Sequence, residues 1–124
     1  FTGKLDSLFV VSSVLEGAAS PDISGLIGQY AHGNEPSHHV IHMYNYVNRP
    51  WRTQELVDSV YRSQYADAVD GLSGNEDCGQ MSAWYVLNSM GFYQVCPGIP
   101  VYSIGRPAFD KAVINLPGGK TFSM

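Results

Sequence analysis

Charge is scarce in this chain. Asp, Glu, Lys and Arg make up 15% of its 124 residues, and the net charge is −4. Lys and Arg never cluster, so nothing here would neutralise a run of phosphates, which argues against nucleic-acid binding. Long apolar runs are missing as well. No stretch approaches the roughly 20 residues that a membrane span needs. Cysteine is limited to Cys78 and Cys96, which have neither metal-ligand spacing nor the density of a disulfide framework, so they do not fix a compartment. There is no signal-peptide pattern and no initiator Met. The stretch "KLDSLFVVSSVL" (4–15) reads as something already under way, so a piece of a longer polypeptide is expected.

The hydrophobic fraction is 44%, enough for an ordered core. Leu5, Leu8 and Phe9, thickened by Val10, Val11, Val14 and Leu15, predict a short helix. Residues 16–34 are rich in Gly, Ser and Pro and predict a long loop, with a turn of helix around 22–29. Pro36 suits a first helical position, and Val40, Met43, Tyr44 and Val47 mark a buried stripe on the helix that follows. That helix should stop near "NRP" (48–50). A second should run from about Trp51 to Tyr65 with Leu56, Val60 and Tyr61 inward. A third should run from about Cys78 to a left-handed cap at Gly91. Beyond it, "VYSIG" (101–105), "KAVINLP" (111–117) and "KTFSM" (120–124) read as strands. The expected class is mainly α with C-terminal β: helical hairpins over 1–91, then short antiparallel strands over 92–124.

The tripeptide Gly-Asn-Glu occurs twice, in "HGNEPSHH" (32–39) and "SGNEDCGQ" (73–80). An up-down-up run of three helices would return the second copy to the end where the first stands. Glu35, Glu76 and Asp77 would then sit at or beside helix N-termini, where the dipole favours a charged carboxylate. Such groups suit metal ligands and general bases better than general acids. Asn34 and Asn75 add amide oxygens, and carboxylate with amide oxygen is the donor set of a hard cation such as Ca²⁺. Taken alone, each tripeptide is more often a helix cap than a site; two copies at one end, with two tryptophans nearby, point toward function. His38, His39 and Gln80 stand beside them.

The segments "SPDISGLIGQYAHGNEPSHH" (20–39) and "GNEDCGQMSAWYVLNSMGFY" (74–93) resemble the signature segments of glycoside hydrolase family 92. The resemblance implies a bacterial, calcium-dependent exo-α-mannosidase, often α-1,2-specific, that inverts configuration and acts on mannose-containing glycans. It implies a β-sandwich followed by an (α/α)6 toroid, this chain resembling the toroid's last helices and the start of the closing strands. Residue by residue, it implies Ca²⁺ ligation by Asn34 and Glu35 and a general base at Asp77. His38, His39, Asn75, Glu76 and Gln80 are the accompanying substrate-binding candidates. Some members carry Asp where this chain has Asn75, which leaves Asp77 as the base. The general acid is expected in a segment preceding residue 1, so the chain alone should be inert until joined to the remainder of its parent. A secreted or periplasmic location is implied by the resemblance only.

Three other readings are weaker. His38 and His42 are four apart, as zinc ligands can be, but residue 39 is His where the H-E-x-x-H motif needs Glu. "DCGQMSAW" lacks the second Cys of a cysteine-protease motif. A non-catalytic carbohydrate-binding or structural helical domain could use Trp51, Trp84, Tyr30, Tyr46 and Tyr85 to stack on sugars. Helical spacing, however, predicts at least three of those five in the core.

Overall fold

The computed structural model describes every residue except Leu15, Ala19 and Asp22. The chain opens with helix α1 (Thr2–Leu8), which sends Leu5 into the core. It is shorter than the apolar run that follows it. Val10, Val11 and Val14 are exposed, and Leu15 lies outside the described residues. Consecutive β-branched residues lose side-chain freedom in a helix, so the run does not extend it. The helical turn expected at 22–29 is a β-hairpin instead. Strand β1 (Leu26–Ile27) pairs antiparallel with β2 (Tyr30–Ala31), and Asp22 falls outside the described residues.

After Asn34 comes a 3₁₀ turn (Glu35–Ser37) and then a 3₁₀ helix (Val40–Val47) where an α-helix was expected. Ile41, His42 and Tyr44 are buried in it, while Val40, Met43 and Val47 pack at the core's edge. Asn48, in the left-handed conformation, ends it. Pro50 then opens helix α2 (Pro50–Gln64), a good first position because proline has no N–H to waste. Thr53, Leu56, Val57, Val60 and Gln64 form its buried stripe. The Thr53 hydroxyl donates to the Ile41 carbonyl at 3.0 Å, fastening α2 to the 3₁₀ helix.

An antiparallel bridge between Tyr65 and Leu72 closes the next loop. Helix α3 (Gln80–Ser89) follows and ends at Gly91, whose φ of 97° is the left-handed stop expected there. The remainder is β: β3 (Phe92–Tyr93) pairs with β4 (Ser103–Ile104), and β5 (Val113–Asn115) with β6 (Thr121–Ser123), both antiparallel. Among the described residues no helix is long and apolar enough to cross a membrane.

Trp84 stands at the centre of the core, fully buried and ringed by His32, Tyr61, Tyr65 and Tyr93. Of the five aromatics weighed for sugar stacking, Tyr30 and Trp84 are buried. Trp51, Tyr46 and Tyr85 are exposed, one more than helical spacing predicts. Trp51 lies two residues before Thr53 and so falls on the face of α2 opposite its stripe.

Candidate active site

The two Gly-Asn-Glu tripeptides meet at their glycines. A Cβ added to Gly74 would lie 2.6 Å from both the Cα and the carbonyl oxygen of Gly33. A Cβ on Gly33 would strike the Ser24 hydroxyl and the Ser73 carbonyl. Only two glycines allow backbone to approach backbone this closely. Gly25, on the first loop, is equally tight against Gln64 and Ser73. Gln64 ends α2, so α2 does return to the first loop. Asn34–Glu35 and Asn75–Asp77 thus flank a single seam.

Beneath the seam lies a polar network. The Tyr65 hydroxyl donates to the Met81 carbonyl at 2.9 Å and so accepts from His32 Nε2 at 2.8 Å. His32 Nδ1 then accepts from the Tyr30 hydroxyl at 2.9 Å. One neutral tautomer satisfies every partner. Burial, seconded by nearby His38, holds the His32 imidazole down to about 3, consistent with a neutral ring. His38 Nε2 donates to the His32 carbonyl at 2.9 Å, and its Nδ1 accepts from the Gln80 amide at 3.1 Å. Burial lowers the His38 pKa too. The Gln80 amide nitrogen also reaches the Tyr93 hydroxyl at 3.2 Å, and Trp84 Nε1 donates to the His38 carbonyl at 3.1 Å. The first loop is thereby bonded to the start of α3.

The second loop departs from expectation at Asp77. This residue does not begin a helix. Asp77, Cys78 and Gly79 have φ of 42°, 58° and 86°, three left-handed residues in succession before α3 starts at Gln80. The acid that serves the helix is Glu76. Its carboxylate accepts from the Ser82 backbone N–H at 2.9 Å and from the Ser82 hydroxyl at 2.7 Å. Those bonds, the hydroxyl's first, hold the Glu76 carboxyl below its ordinary range. The N-terminal end of α3 is therefore served by Glu76, while Asp77 stands exposed on the turn.

The remaining candidates are placed as follows. Asn34, extended in its backbone, precedes the 3₁₀ turn that Glu35 opens, and both are half-buried. Asn75 is exposed beside Glu76, and His39 is half-buried at the start of the 3₁₀ helix. His38 is buried with both ring nitrogens engaged, so it supports the seam through Gln80. His42 is buried and stacked on Tyr93, ring centres 5.0 Å apart. Among the described residues no three His, Cys, Asp or Glu side chains converge as a metal set, and both ring nitrogens of His38 are already engaged within the chain. Asn34 and Glu35 are hard oxygen donors and fit a Ca²⁺ site in chemistry, but as two ligands they make only part of one. Cys78 and Cys96 are free and exposed. Sequence reasoning did not single out His32, Tyr65 or Ser82. Burial pushes the Tyr65 hydroxyl pKa up, with Glu76, Tyr61, Tyr93 and Glu35 adding to it in that order.

Comparison with known proteins agrees with the resemblance in the signature segments. Residues 1–124 match the glycosyl hydrolase family 92 catalytic domain. A protein of Arthroderma benhamiae, described as an uncharacterized secreted glycosidase, is 36% identical over 90 residues, 72% of this chain and 12% of that protein. The fold superposes on a family GH92 α-mannosidase from Bacteroides thetaiotaomicron in complex with mannoimidazole. The TM-score is 0.90 at 43% identity, covering 98% of this chain and 16% of that one. An inverting family GH92 mannosidase from the same organism gives 0.77 at 41% identity, covering 98% and 18%. This chain spans less than a fifth of each relative's length. With the family profile met along its whole length, the chain belongs to glycosyl hydrolase family 92.

Proposed function

We propose that this chain forms part of the active site of an exo-acting α-mannosidase. Its substrate class is terminal α-mannosides of mannose-containing glycans, α-1,2-linked ones first, and it works with inversion. The carrying observation is the glycine seam: it holds Asn34–Glu35 and Asn75–Asp77 together in a chain that superposes on a mannosidase complexed with mannoimidazole. Asp77 is the general base, taking a proton from the water that attacks the anomeric carbon. The opposite carboxyl group of an inverting pair stands roughly 6.5–9.5 Å away. It belongs to the rest of the enzyme, where it protonates the departing oxygen. Asn34 and Glu35 would hold Ca²⁺ jointly with ligands from outside this segment. When bound, the ion polarises sugar hydroxyls and fixes the ring's orientation. Secretion or export is proposed from the secreted relative.

The test is Asp77→Asn in the full-length enzyme, which keeps size and removes basicity. The expected loss is about 10²–10⁴-fold, in kcat more than in KM. Product released by wild type should appear first as the β-anomer by NMR. Wild-type kcat in Asp77→Asn would move the base elsewhere, and an α-anomeric first product would end the inversion reading. The 124-residue chain alone should release no mannose above background, because the acid lies outside it.

A further inference from the structure

Asp77 and Cys78 hold a conformation that L-residues rarely adopt, and they do so on an exposed turn. Packing cannot hold them there. Two backbone bonds cross the turn, from Gln80 N–H to the Asp77 carbonyl at 3.2 Å and from Met81 N–H to the Glu76 carbonyl at 3.4 Å, both long. The bonds of the Glu76 carboxylate to Ser82 are shorter, at 2.9 and 2.7 Å; Gly79 is held as well by the Ala83 N–H, which donates to its carbonyl at 2.8 Å. The carboxylate bonds join the residue before the turn to the third residue of α3 and close the 76–82 segment into a ring. Both carboxylate oxygens take part, and the side chain is turned toward α3.

We propose that Glu76 is a positioning residue. Its carboxylate clamps Ser82, and the clamp holds the left-handed turn that presents Asp77 at the seam. The proposal rests on Asp77 being the base. It differs from a substrate-binding role for Glu76 in the partner the carboxylate serves, Ser82 of its own chain, which takes one acceptor position on each oxygen. A carboxylate suits two donors, but charge is not essential. A glutamine can accept the Ser82 N–H with its oxygen and donate to the Ser82 hydroxyl with its nitrogen.

The experiment compares E76A, E76Q, S82A and D77N in the full-length enzyme, measuring kcat and KM on an aryl α-mannoside. Misplacing a reacting group by about 1 Å costs about 10²-fold, so E76A should lose roughly 10- to 100-fold in kcat with KM moved by less than about threefold. E76Q should recover to within about tenfold of wild type, and S82A, which keeps the backbone bond, should fall between wild type and E76A. If E76A does not fold, E76Q and S82A carry the test. E76Q as inactive as D77N would overturn the clamp and make Glu76 catalytic by its charge. A loss confined to KM would overturn it in favour of substrate binding. D77N impaired with E76A unchanged removes the clamp and leaves the base reading intact. D77N at wild-type kcat removes the base reading, and the clamp of that base with it.

Discussion

Replacing Gly74 by alanine tests the seam between the two loops. The added Cβ would sit 2.6 Å from the Cα and the carbonyl oxygen of Gly33, and 3.0 Å from its carbonyl carbon. Ordinary contact begins near 3.4 Å, so the loops must part by about 0.8 Å. Every atom met is backbone, so no change of rotamer relieves the clash. Overpacking of this kind typically costs about 1–3 kcal/mol. The catalytic effect should be larger in proportion, because a shift approaching 1 Å in a positioned group costs up to about 10²-fold in rate. Urea unfolding and kcat on an aryl α-mannoside, both in the full-length enzyme, supply the two readings. Gly3→Ala is the control: nothing lies within 4 Å of its Cβ position and its site is helical. It should leave kcat unchanged and stabilise by up to about 1 kcal/mol. Combining Gly33→Ala with Gly74→Ala should cost less than the sum of the two, since loops already parted accommodate the second methyl. Gly74→Ala with wild-type midpoint and wild-type kcat would refute the contact and the shared surface built on it.

Three further outcomes are expected. Burial lowers the His42 pKa from 6.5 to about 4, so the unfolded chain binds a proton there before the folded one does. The stabilisation is whole above pH 6.5 and falls toward pH 4 by up to about 1.4 kcal/mol per pH unit; His42→Phe should flatten that part of a urea-midpoint profile. Tyr65→Phe removes the hydroxyl shared by His32 and the Met81 carbonyl and should cost about 1–3 kcal/mol, with kcat reduced as well; an unchanged unfolding midpoint would show the bridge idle. Glu35→Ala in the full-length enzyme should weaken Ca²⁺ binding by calorimetry, and unchanged affinity would strike Glu35 from the ligands.

Helix α2 was legible because its signals are local: a proline at the first position and an apolar stripe at 3.6-residue spacing. The left-handed stop at Gly91 was legible for the same reason. The 3₁₀ helix was not. Residues three apart share a face in both kinds of helix, so the side-chain pattern alone does not separate them. The difference lies in which carbonyl accepts, as in the bond from His42 N–H to the His39 carbonyl. The hairpin at 26–31 was hidden by two-residue strands, too short for any alternation to show. In the site, the meeting of the two loops followed from the return of the second helix to the first loop. The turn at Asp77 did not. Gly79 could be expected to go left-handed, but Asp77 and Cys78 follow it there under a bond six residues long, from Glu76 to Ser82. His32 escaped notice because burial of a loop histidine depends on Tyr30 and Tyr65, which lie on different elements.

The repeated tripeptide does two kinds of work, and its three positions divide them. The glycines are alike in function, each lacking a Cβ so that the backbones can touch. The glutamates are not. Pro36 follows Glu35, and proline's fixed φ and missing N–H suit the 3₁₀ turn that Glu35 opens. Asp77 follows Glu76, and the chain instead turns left-handed while Glu76 folds onto α3. Sequence identity across three residues therefore marks a backbone contact, and the chemistry diverges at the fourth. On the function proposed, Glu35 serves at the seam as a ligand, Glu76 serves beside it as a brace, and the base comes from the residue by which the two copies first differ.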